Sequence, residues 1–111
     1  MTNEYSTTPE LTITTGLEDG ATVIVVAGEI DASNADQLRD AVVDALDARS
    51  TLVIDLAGVT FMDSSGLSVL NHALTQVAEQ EGKLTLRAPS SSVRRLLEIT
   101  GLTDRFFTTD S

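Results

Sequence analysis

A chain of 111 residues, 41% apolar and 22% charged, is sized for one self-standing domain and carries too many core formers for wholesale disorder. It has no cysteine and a single histidine, His72, which excludes a disulfide framework, a thiolate nucleophile and a structural zinc site. Seventeen acidic residues against seven basic ones give a formal charge of −10, a field that repels nucleic acid and anionic membranes, so neither is expected as a partner.

Residues 1–9 are polar and aperiodic and read as a flexible N-terminal tail, with the domain spanning 10–111. They lack the basic-then-apolar pattern of a leader, and no apolar run approaches the roughly 20 residues of a spanning helix, so a cytoplasmic location is expected. Residues 11–15 alternate as a half-buried strand, and residues 17–20 (LEDG) supply hairpin turn chemistry before a fuller apolar strand at 23–27 that ends at Gly28. Ser33 or Asn34 caps a helix whose inward stripe is Ala35, Leu38, Val42, Ala45 and Leu46. The β-branched run at 51–55, closed by Ala57 and Gly58, reads as a central strand buried on both faces.

A second helix follows residue 63, with Leu67, Leu70, Leu74, Val77 and Ala78 inward and Gly82 as its stop. Residues 83–87 alternate as a strand. Pro89 and Ser90 to Ser92 open a third helix with Val93, Leu96 and Leu97 inward, closed by Gly101. Phe106 to Thr108 read as a last short strand. Strands alternating with helices predict an α/β domain, a mixed, mostly parallel β-sheet with an antiparallel edge strand, packed by helices.

The chemistry concentrates in residues 61–67 (FMDSSGL), where an extended segment turns into a helix. Backbone N–H groups are unpaired there and the helix dipole is positive, so anions are favoured. Asp63 or Ser64 can cap this helix, which leaves the neighbouring hydroxyl free of structural duty beside Gly66. A phosphoryl group there adds roughly −1.5 to −2 charges next to Asp63, while the fold stays intact. Hydrolase chemistry fails on spacing. The G-x-S-x-G elbow would need glycine where Met62 stands, and His72 lies eight residues beyond Ser64, about 12 Å along a helix. The glycines match neither dinucleotide nor P-loop patterns, so no cofactor and no metal is expected.

Residues 28–31 (GEID) and, about thirty residues later, 61–67 resemble the STAS family, especially its bacterial anti-sigma factor antagonists. The resemblance extends through residues 92–97 and 100–102 and covers about 10–108. It implies a single STAS-like domain and a regulatory protein that is not an enzyme. In that family the first Ser of D-S-[ST]-G-L, here Ser64, is phosphorylated by an anti-sigma factor that is also an ATP-dependent serine kinase. A serine phosphatase restores the unphosphorylated form, which binds the anti-sigma factor and releases the sigma factor. The resemblance further implies that Asp31 lies close to this serine, that Asp63, Ser64, Ser65 and Gly66 shape the partner-binding surface, and that the chain is a monomer or weak homodimer. The alternative is a non-cycling STAS module, a scaffold in a stress-sensing complex or a subunit of a membrane transporter; such modules often lack the serine pair that is present here.

Overall fold

The structure, a computed structural model, describes residues 3–7, 10–46 and 51–106, the first of these as backbone only. Five strands form one sheet in the order β1-β2-β3-β4-β5: β1 (Asn3–Thr7), β2 (Leu11–Glu18), β3 (Ala21–Ile30), β4 (Thr51–Met62) and β5 (Lys83–Arg87). The pairs β1–β2 and β2–β3 are antiparallel, and β3–β4 and β4–β5 are parallel. The sheet is therefore mixed with an antiparallel edge, as expected. That edge is one strand broader than expected, because Asn3–Thr7 pairs with β2 where a frayed tail was anticipated. Main-chain pairing to an open strand edge does not require an apolar pattern, so the polar composition of this segment concealed it.

The β2–β3 hairpin closes through Asp19 and Gly20, both at positive φ, with Glu18 opposite Ala21, the geometry of a two-residue primed turn. Helices α1 (Ala35–Ala45) and α2 (Ser64–Glu79) lie side by side over one face of the sheet. There Leu38, Val42, Leu67, Leu70 and Val77 meet Ile13, Ile24, Val26, Ile54 and Leu56 in the core. Ala41 and Ala73 are buried too, whereas Ala78 is exposed and Leu74 only half-buried. The helix α2 ends as the chain turns left-handed at Glu81 (φ 60), with the Gly82 N–H donating to Val77 O, so the reversal falls one residue before the glycine that was expected to make it.

Three further expectations are corrected in the sheet. Strand β3 runs through Gly28 to Ile30 instead of ending at the glycine. Strand β4 continues past Ala57 and Gly58 for 12 residues in all, because two register shifts against β3 absorb extra residues as bulges. Its buried residues Leu52, Ile54, Leu56, Val59 and Met62 all belong to the core, while Thr51, Val53 and Asp55 are only half-buried, so it is covered on one face and not both. The opposite face carries Thr14, Val25 and Thr85, with Val25 and Thr85 exposed. Strand β5 pairs only with Thr51 to Asp55, and α3 (Ser91–Thr100) packs against β4, the Ser92 hydroxyl donating to Thr60 O at 3.0 Å.

Ser90 caps α3 by accepting from the Val93 N–H, and Gly101 ends it in a left-handed conformation, both as expected. Phe106 closes a helical turn, α4 (Thr103–Phe106), instead of entering a strand, and it packs against the core; residues 107 and 108 of that expected strand lie outside the described residues. Arg105 holds the turn on α2 through Asn71 Oδ1 and Thr75 Oγ1 at 2.6 and 2.8 Å. Among the described residues, no helix is long and apolar enough to cross a membrane.

Candidate functional site

The site lies where the parallel strands β3 and β4 end side by side. Ile30 pairs with Met62, and the Asp63 N–H donates to Ile30 O at 3.2 Å, so the chain segments that start at Asp31 and Ser64 leave from neighbouring points. Gly66 makes this closeness possible. A Cβ there would sit 2.7 Å from Met62 Cγ and 2.8 Å from Ile30 Cγ2, so with any larger residue these side chains would have to shift before α2 could settle on the strand ends. Gly66 is itself buried beneath the helix start.

Of the two caps left open by the sequence, the structure selects Asp63. Its carboxylate accepts from the Ser65 N–H at 2.8 Å, and Ser64 becomes the first residue of α2, exposed and without a capping task. The two hydroxyl residues differ in setting. Ser64 is open to solvent, whereas Ser65 is half-buried and lines a cavity of about 410 Å³ between α1 and α2, together with Ala35, Arg39, Val69 and His72. His72 is an exposed residue of the same helix as Ser64, more than two turns on, as the sequence spacing required.

Asp31 is held by its own loop. Its Oδ1 accepts from the Ser33 N–H at 2.9 Å and from the Ser33 hydroxyl, while Asn34 Oδ1 accepts from the Asp31 N–H at 2.9 Å. Asn34 also donates from Nδ2 to Glu29 O at 2.9 Å and is buried. Neither Ser33 nor Asn34 caps α1 with its side chain, contrary to the sequence expectation. Both are spent on fixing the acidic loop, because the reversal after Ile30 leaves backbone groups that need partners. The local sequence carries no signal that separates this use of Asn34 from ordinary capping.

The Ser33 hydroxyl and then the Ser33 N–H hold the Asp31 carboxyl below its ordinary value; partial burial opposes them, and the Asn34 N–H assists. Asp31 therefore stays ionised even in mild acid. The stabilisation from its lowered pKa is complete above the unfolded value, about 3.9, and is lost as pH falls through the lower folded value. Ser33→Ala should raise the Asp31 pKa toward that ordinary value, which carboxyl NMR titration measures directly. An unchanged titration would show that the hydroxyl is not the main cause.

A STAS domain family model matches residues 10–111. The anti-sigma-B factor antagonist of Listeria monocytogenes is 42% identical over 82 residues, 73% of this chain and 72% of that protein. The anti-sigma-F factor antagonist of Mycobacterium tuberculosis is 35% identical over 102 residues, 89% of this chain and 83% of that one. The crystal structure of an anti-sigma factor antagonist from Mycobacterium paratuberculosis superposes with a TM-score of 0.76 at 31% identity, over 93% of this chain and 88% of that chain.

Proposed function

The chain belongs to the STAS family, and from that premise we propose that it is an anti-sigma factor antagonist of the cytoplasm, switched off by phosphorylation of Ser64. Unphosphorylated, it binds an anti-sigma factor and so releases a sigma factor. The partner doubles as the kinase: the γ-phosphoryl group of ATP passes to Ser64 Oγ as its bond to the β,γ-bridging oxygen breaks and ADP leaves, and the serine proton goes to a base that the kinase supplies. A serine phosphatase hydrolyses the ester and restores the binding form. The antagonist is a substrate in this cycle and needs no catalytic group of its own.

The single observation that carries this reading is the division of labour between Asp63 and Ser64. Because Asp63 takes the cap, the Ser64 hydroxyl is exposed at the positive end of a 16-residue helix and can change its chemistry without unfolding it. The new charge arrives beside the carboxylates of Asp63 and of the neighbouring Asp31 loop, so the surface a partner meets becomes strongly anionic. A docking face matched to a hydroxyl is mismatched to a phosphate.

The test is direct. Incubation with the cognate anti-sigma kinase and ATP should add one phosphate, detected by intact-mass spectrometry and lost in Ser64→Ala. Labelling of Ser64→Ala to the native extent, with the phosphate mapped to Ser65, would move the switch to the cavity side of α2 and overturn this assignment.

A further inference from the structure

Five large apolar side chains are exposed among the described residues: Leu17, Val25, Val43, Phe61 and Ile99. Four lie away from the strand ends that carry Ser64. Leu17 is beside the β2–β3 turn, Val25 is in mid-strand, Val43 is near the end of α1, and Ile99 is in the last turn of α3. Phe61, 48% exposed, stands three residues before Ser64 and is the one aromatic of the set.

The register explains its orientation. Ile30 and Met62 pair and are buried on the helix-covered face, so the preceding pair, Glu29 and Phe61, projects to the other side of the sheet, where both are exposed. The second β4 bulge, between the Gly28 and Glu29 pairings, sets this arrangement. The fold gains little from an aromatic there. The core is filled by Val59 and Met62 on either side, and the backbone around Phe61 is tied by Thr60, whose Oγ1 donates to Gly28 O and whose carbonyl accepts from Ser92. An exposed ring that the fold does not need, set at the margin of a switching surface, has the character of an interface anchor.

Resting on the function proposed above, we propose that Phe61 anchors the anti-sigma factor, whose footprint runs from Ser64 over the ends of β3 and β4 onto the Glu29–Phe61 side of the sheet. The occupant is an apolar pocket with a cationic rim. The ring fills the pocket, and the rim faces Glu29, Asp31 and Asp63, which lie on the same two strand ends within three residues of Ile30 or Phe61. This surface is continuous with the switch, since the Asp63 N–H to Ile30 O bond joins the two strand ends directly. A phosphate on Ser64 would thus sit at the edge of a contact made mostly by a nearby ring and fixed carboxylates.

The experiment uses the anti-sigma factor that phosphorylates the native chain, mixed without ATP and titrated by calorimetry. Phe61→Ala should weaken binding by about thirtyfold or more, the loss that corresponds to truncating an aromatic anchor, with Ile99→Ala and Leu17→Ala at native affinity. Phe61→Trp adds a tryptophan to a chain that has none, and its emission should shift to the blue on complex formation. Native binding by Phe61→Ala together with an unshifted Phe61→Trp spectrum would overturn the anchor, while weakening by Ser64→Asp in the same titrations would leave the phosphoswitch standing. Retained binding by Ser64→Asp with loss in Phe61→Ala would keep the anchor and remove the switch. Thermal unfolding of each variant at the native midpoint separates lost contact from lost fold.

Discussion

Ser64→Asp should keep the fold and lose the partner. A carboxylate at the first position of α2 meets a favourable helix dipole worth about 0.3–1 kcal/mol, offset by the neighbouring Asp63 and the Asp31 loop, so the unfolding midpoint should stay within a few degrees of native. In the proposed complex the cationic rim is already engaged by Glu29, Asp31 and Asp63, and the point that faces Ser64 is matched to a neutral hydroxyl, so no free cation offsets the added charge. A hydroxyl can donate or accept toward a partner, but a carboxylate only accepts and must be desolvated on docking. A loss of about 3 kcal/mol corresponds to more than a hundredfold in affinity. Calorimetric titration of the anti-sigma factor checks the outcome, and affinity within twofold of native would dismiss charge as the mechanism. Exposed charges are screened over about 8 Å at physiological ionic strength, so part of the loss should return at high salt.

Gly28→Ala should be the most damaging single methyl group that can be added near the site. The residue sits at φ 109, a conformation closed to side chains, and a Cβ there would lie 2.1 Å from the carbonyl oxygen of Glu10. That oxygen accepts from the Glu29 N–H at 2.8 Å, so backbone on both sides must move and the bond that leads into the Glu29 to Asp31 loop is lost. Strained φ costs about 1–3 kcal/mol and the lost hydrogen bond about 0.5–1.5 more. At roughly 4–8 °C per kcal/mol for a domain near this size, the melting temperature should fall by at least about 6 °C. Calorimetric melting tests this, and a midpoint unchanged by Gly28→Ala would mean that the kink at Gly28 is not the constraint described.

The sequence by itself determined the order of strands and helices between residues 11 and 101, a hairpin turn within residues 17–20, the cap and stop of α3, and the place where Asp63 and Ser64 begin α2. These are local matters, decided by side-chain alternation, helical spacing and capping chemistry within a few residues of chain. Tertiary structure decided the rest. Asn3–Thr7 became a strand because β2 offered an open edge, β4 ran on through Gly58 because bulges against β3 absorbed its extra residues, and Phe106 joined a helical turn held by Arg105 on α2. Asn34 turned from a cap into the clasp of the acidic loop, and Phe61 turned outward, since both depend on how Ile30 meets Met62. Which face a residue presents is set by pairing between strands far apart in sequence, and one bulge reverses it, so no short-range pattern could have placed the aromatic beside the serine.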